Sequence, residues 1–290
     1  MGAALPTKIA ALIFAFAVTF GSARADTDPV RRGDYLVNGI LTCGNCYSPK
    51  GPGGGDIAER AFSGGLSWDE PPFKVTAPNI TQDKTQDKET GIGDYTDAEL
   101  KQVLRKGIKR NGAPVAMIMP SGFYEIMTDR DLDAVIAYLN TIKPIKNSVP
   151  DPVYKMPQAH PIPPGGDKPF SEALLGEKVN KGRYLVTVAH CMECHTPMGP
   201  RGRDFAARLG AGGFEFPGPW GVSVSRNITS SKEKGIGAWS DDEIKRAVTH
   251  GVSRDGSKLK PPMGYRYYAT LTPDDLDAIV AYLRTVPAKE

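Results

Sequence analysis

Residues 31–143 and 180–286 of this 290-residue chain pass the same landmarks in the same order, and that internal repetition limits the architectures open to it more than any other feature. Gly33-Asp34-Tyr35-Leu36-Val37 is answered by Gly182-Arg183-Tyr184-Leu185-Val186, and Cys43-Gly44-Asn45-Cys46 by Cys191-Met192-Glu193-Cys194. Asn79-Ile80-Thr81 then matches Asn227-Ile228-Thr229, and Gly91-Ile92-Gly93 matches Gly235-Ile236-Gly237. An insertion in the first copy, within Gln82 to Thr90, absorbs a change of register before Met119 meets Met263 and Thr128 meets Thr272. A proline-rich stretch, residues 149–170, separates the copies and reads as a semi-rigid connector.

Each copy carries the same helix punctuation. Thr96-x-x-Glu99 and Ser240-x-x-Glu243 are capping boxes, and the helices they open should stop at Gly107 and Gly251. Thr128 and Thr272 open a second pair, with Leu132, Val135, Ile136, Leu139 and Leu276, Ile279, Val280, Leu283 at helical spacing. Runs of strand-like alternation are lacking, so each copy is expected to be all-α with long loops. With 32 glycines and 25 prolines the loops take a large share of the chain, and each copy has little apolar material for its length. Something besides side chains must fill the core.

The four cysteines fall into two C-x-x-C pairs, too few for a disulfide scaffold, and the second pair continues as Cys191-Met192-Glu193-Cys194-His195. This is the pattern of covalent haem c attachment. Two thiols at this spacing form thioethers to one edge of the macrocycle, and the histidine that follows is carried beneath the iron. Pro197 is a candidate carbonyl acceptor for the imidazole N–H. Met263, in the stiff run Lys260-Pro261-Pro262-Met263-Gly264, suits the opposite face. In the first copy Cys43 and Cys46 are followed by Tyr47, where the attachment pattern has histidine, while Met119 keeps its place. Three readings stand open there. A second haem is bound, with the iron held by Tyr47, by an outside histidine such as His160, by water or by Met119 alone; haem has been lost and the cysteines are paired or free; or another metal is bound. Met117 is a rival to Met119. His190 reads as a surface or capping residue, and His250 as a cation at a helix C-terminus.

The order of Gly-x-Tyr helix, C-x-x-C-H, Asn-Ile-Thr loop, Gly-Ile-Gly segment, Pro-Pro-Met loop and final Tyr-Leu helix resembles class I cytochrome c. More narrowly, the tandem is similar to the multi-haem cytochrome c subunits of periplasmic alcohol and aldehyde dehydrogenases. The resemblance implies two tandem cytochrome c-like domains wrapped around haem, residues 26–148 and 171–290, with His195 and Met263 as axial ligands. It also implies Asn227 and Trp239 near the haem propionates, and Gly182 and Tyr184 where the first helix crosses the last.

Lys8, the apolar run Ile9 to Phe20 and Ala23-Arg24-Ala25 read as a signal peptide over residues 1–25, since a membrane-spanning helix needs about 20 apolar residues. Its removal takes the formal charge from +3 to near neutrality, and with no basic stripe nucleic acid is excluded as a partner. No other segment is long and apolar enough to span a membrane. The function expected is periplasmic electron transfer between a dehydrogenase or donor cytochrome and a downstream acceptor, with no catalytic residues of its own. The alternative is a di-haem redox enzyme, peroxidase-like or sulfur-oxidising, that uses an atypically ligated first haem. A haem-free first copy that serves for docking is a third reading.

Overall fold

The computed structural model describes residues 1–2, 28–84, 91–200, 202–218 and 220–290. Apart from residues 1–2, the signal-peptide reading falls on residues outside the described ones, as does most of the insertion in the first copy. In the first stretch α1 (Pro29–Tyr35) runs into a single π-turn, and α2 (Cys43–Tyr47), α3 (Asp97–Lys106), α4 (Ser121–Tyr124) and α5 (Asp129–Leu139) follow. In the second, α6 (Lys178–Val188) and α7 (Cys191–Cys194) precede α8 (Phe205–Arg208), α9 (Asp241–His250), α10 (Tyr265–Tyr268) and α11 (Pro273–Leu283).

Both capping boxes form as the sequence indicates. The Thr96 and Ser240 hydroxyls accept from the backbone N–H of Glu99 and Glu243, and each glutamate accepts from the cap's own N–H. The two helices end in left-handed Gly107 and Gly251, at φ 64° and 62°. The first and last helices of each stretch cross so closely that only glycine fits. A Cβ on Gly33 would stand 2.0 Å from the Ala134 carbonyl oxygen, and one on Gly182 would stand 1.9 Å from that of Ala278. These crossings, α1 on α5 and α6 on α11, carry the buried rows Leu36, Val37, Leu132, Val135 and Leu185, Val186, Ile279, Val280.

The all-helical expectation needs amending. Strands β1 (Ser67–Glu70) and β2 (Phe73–Thr76) form a hairpin, and β3 (Val153–Tyr154), from the proline-rich connector, pairs with β2. Further pairs are β4 (Met198–Gly199) with β5 (Gly202–Arg203), and β6 (Glu215–Gly218) with β7 (Gly221–Val224). Each strand has four residues or fewer, too few for alternation to stand out in the sequence.

The two stretches share one apolar core and are joined by reciprocal hydrogen bonds. Tyr184 of α6 donates to Asp131 of α5 at 2.7 Å, and Tyr35 of α1 donates to Asp275 of α11. Each carboxylate is also held by a cation of its own stretch. Arg32 grips Asp131 with two bonds of 2.8 Å, and Lys181 meets Asp275 at 2.5 Å. Asp131 and Asp275 are buried, so these partners supply the compensation that desolvated charges require. Tyr184 thus lies beside the helix crossing, as expected, but spends its hydroxyl on the other stretch.

Candidate haem site

The second C-x-x-C-H segment is placed by the end of α6. After Ala189 the chain turns through His190, a left-handed residue at φ 44°, into the single turn α7, and His195 closes that turn by donating its backbone N–H to the Cys191 carbonyl at 3.0 Å. Cys191, Cys194, His195 and Met263 line one cavity of about 720 Å³. Asn227 and Trp239 line it too, with the Asn227 amide engaged inside the protein: its Nδ2 donates to the Lys289 carbonyl at 2.7 Å and its Oδ1 accepts from the Thr229 backbone N–H at 2.9 Å. The β6–β7 hairpin contributes Phe216, Val222 and Val224 to the lining.

The imidazole is prepared for a metal. His195 Nδ1 donates to the Arg226 carbonyl at 2.6 Å, which fixes the ring of this cavity-lining histidine and leaves Nε2 as its ligating nitrogen. Burial holds this histidine below its usual pKa, against the pull of that hydrogen bond, so the ring is neutral, the form that ligates. The acceptor is not Pro197, whose carbonyl instead takes the backbone N–H of Asp204 at 3.0 Å. Burial pushes the Cys191 thiol up to about 12, well away from the thiolate that a structural metal would select. Two thiols, one neutral imidazole and one thioether around one cavity fit a covalently held haem. Among the described residues no cluster of His, Cys, Asp and Glu suits a bare metal ion.

The first site differs. Tyr47 Oη donates to Met119 Sδ at 3.0 Å. An oxygen and a sulfur on opposite sides of one metal ion stand about 4.3 Å apart, from metal–oxygen bonds of about 2.0 Å and metal–sulfur bonds of about 2.3 Å. The tyrosine is longer than the histidine it replaces, and its hydroxyl reaches the methionine sulfur directly. Burial, with the neighbouring Cys46 and Cys43 thiols, raises the phenol's pKa far above its ordinary value, so it keeps the proton that makes this bond. As arranged, Tyr47 and Met119 do not fit an iron between them. Cys43 and Cys46 are free thiols, pushed by burial up to about 12 and about 11.

The outside histidine does not compensate. His160 Nδ1 bonds the Met119 carbonyl at 3.0 Å, and its buried Nε2, without a hydrogen-bond partner, packs against Gly107. The matching position in the second stretch, against Gly251, is filled by the Tyr265 ring, and Tyr265 is not among the residues lining the cavity. His160 therefore stands behind the methionine loop. The backbone N–H of Met117 donates to Gln158. His250 ends α9, its Nδ1 bonded to the Thr249 hydroxyl. His190 is half-buried rather than a surface residue; burial lowers its pKa, but Cys194 and Glu193 outweigh that and lift it to about 10.

Three lining residues come from the first stretch, which the motifs give no reason to expect: Ile40, Thr42 and Asn45. Only the packing of the two stretches brings them to the second cavity.

A helical chain that turns two thiols, an imidazole and a thioether into one cavity defines the class of proteins that carry haem covalently. Comparison with known sequences agrees, since the profile of the family described as Cytochrome c matches residues 179–287. The chain is 31% identical, over 86% of its own length and 83% of the relative's, to a diheme cytochrome c-type protein of Cereibacter sphaeroides. The chain belongs to the cytochrome c family. It is also similar to the cytochrome c subunit of the quinone alcohol dehydrogenase of Gluconobacter oxydans, at 31% identity over 97% of this chain, and to the cytochrome subunit of the fructose dehydrogenase of Gluconobacter japonicus, at 32% over 92%. It spans 60% and 54% of those two relatives' lengths.

Proposed function

We propose that the protein is an electron carrier built of two tandem cytochrome c domains, residues 26–148 and 171–290, with one haem c, in the second. In this reading residues 1–25 are a signal peptide that takes the chain to the periplasm, where it serves a dehydrogenase as its cytochrome partner and passes electrons to a downstream acceptor. The names of the relatives support such a partner. No helix among the described residues is long and apolar enough to cross a membrane.

The observation that carries the reading is the hydrogen bond from His195 to the Arg226 carbonyl, which fixes the ring of a histidine that lines one cavity with Cys191, Cys194 and Met263. Cys191 and Cys194 would attach the macrocycle, and His195 and Met263 would take the two faces of the iron. The bound haem supplies a site for one electron, and the protein sets how readily that electron moves. His195 stays neutral and fixed in orientation, so little rearranges between oxidation states. Ile236, Ile244, Tyr268 and Leu283 give the cavity apolar walls, which keep water from the iron and favour the reduced state.

The contact between Tyr47 and Met119 supports a single haem and tells against the di-haem enzyme, which needs an iron at the first site. Intact mass and a pyridine haemochrome assay, on protein matured in a periplasm with haem-attachment machinery, test the proposal. One haem per chain, lost on Cys191→Ala with Cys194→Ala, is the expected result. Two haems in the unaltered chain would overturn it.

A further inference from the structure

The second cavity is not enclosed by the second stretch alone. Ile40, Thr42 and Asn45, around the turn into α2, form part of its lining. The contacts made there fall on the methionine loop. Asn45 Nδ2 donates to the carbonyl of Pro262, the residue before Met263, at 3.3 Å, and Thr42 Cγ2 lies 3.1 Å from where a Cβ on Gly264, the residue after it, would stand.

A second set of contacts holds α10, which begins directly after Gly264. Its adjacent tyrosines divide the work. Tyr268 is buried and lines the cavity, while Tyr267 turns to the first stretch and donates to Asp56 Oδ2 at 2.6 Å. Lys50 pairs with the same carboxylate, donates to the Gly44 carbonyl at 3.0 Å and reaches the Tyr267 hydroxyl at 3.3 Å. Burial, together with Asp56, raises the Tyr267 phenol well above its ordinary pKa, so it stays a donor. The pseudo-equivalent contact on the other side of the molecule is between two rings, Phe123 of α4 against Phe205 of α8, with centroids 5.9 Å apart. The polar contact therefore belongs to the side of the molecule where Met263 lies.

We propose that Asn45, Lys50, Asp56 and Tyr267 are positioning residues for Met263, and that the first domain, closed at its own site, acts as the clamp that keeps the thioether over the second domain's haem. The proposal rests on Met263 being the ligand on that face. The clamp works by raising the free energy of swinging the loop from 260 to 268 away from the cavity. A charge-assisted hydrogen bond is worth about tenfold in such an opening equilibrium.

Imidazole competes with a methionine ligand for ferric haem, so its binding reads loop opening. In the haem-loaded chain Tyr267→Phe and Asp56→Asn should each strengthen imidazole binding about tenfold and weaken the thioether-to-ferric-iron absorption band. The double variant should add little, because the two substitutions remove one shared bond. Backbone hydrogen exchange over residues 264–271 should quicken by a similar factor. Tyr154→Phe, which removes a hydroxyl bonded to the Pro114 carbonyl at 2.9 Å on the far side, should change none of these. Imidazole binding and exchange at wild-type values in Tyr267→Phe and Asp56→Asn would overturn the clamp, as would an equal response from Tyr154→Phe. A wild-type protein without the thioether band would instead refute Met263 as ligand, and the exchange measurement would still decide whether the loop is clamped.

Discussion

At the scale of single residues, the proposed single haem turns on one ring. Tyr47 spends its hydroxyl on the Met119 sulfur, the atom that would otherwise be open to a metal. Tyr47→His shortens the side chain, removes the phenol and completes the C-x-x-C-H attachment pattern that Cys43 and Cys46 begin. The variant should rise from one haem to two by intact mass and haemochrome assay, whereas Tyr47→Phe should stay at one. His195→Ala, in the second domain, should cost the iron its fixed imidazole and shift the visible spectrum. Much of this was legible in the sequence. The cysteines, His195 and the missing histidine are read by spacing, because haem attachment is local chemistry, whereas Met263 is read from its proline-flanked loop and its match to Met119 in the repeat. The carbonyl that orients His195 comes from Arg226, 31 positions away, and every residue has a carbonyl, so no residue type marks it. The contact between Tyr47 and Met119 is likewise settled by side-chain length in three dimensions, and a pattern cannot express that.

At the scale of elements, local rules carried the helices and missed the strands. Ser240, Thr96, Thr128 and Thr272 cap helices where the sequence places them, because a cap needs only neighbours within three residues. Ser240→Ala should lower stability by about 1 kcal/mol in a denaturant titration and leave the haem count unchanged. Gly182→Ala belongs to another class of change. Its new methyl would meet the Ala278 carbonyl at 1.9 Å, a backbone atom that cannot swing aside, so α6 must lift from α11. Loss of about 1–3 kcal/mol or more is expected, visible as a lower melting temperature and a reduced yield of loaded protein. The hairpins escaped notice because four residues show alternation only once a partner strand defines the faces. Phe73 and Val75 point inward and Lys74 outward, a pattern that three residues alone do not distinguish from a loop.

At the scale of the whole molecule, the two stretches behave as one object. The carboxylate of Asp131 serves Arg32 from its own side and Tyr184 from the other, and Asp275 does the same for Lys181 and Tyr35. Asp131→Ala strands a half-buried guanidinium and a buried hydroxyl together, and should cost about 3–5 kcal/mol. Because the core is shared, calorimetry on the unaltered chain should show one unfolding transition, and the variant should lower that whole transition without splitting a domain from it. Two resolved transitions would refute a shared core. The repeat made two similar units legible in the sequence, but not their reciprocal grip, since Tyr35 and Tyr184 each look like ordinary helix residues until the partner stretch is in view.

The reciprocal bonds have a further consequence. Matched surfaces that exchange the same contacts are the signature of a symmetric dimer, in which the pairing weakens as the protein is diluted. Here the two partners are sewn into a single chain. The connector keeps each within reach of the other at an effective concentration on the order of millimolar, whatever the amount of protein in solution. A single cut in that connector would return the pairing to the law of mass action; while it is whole, scarcity cannot part the clamp from the loop it holds.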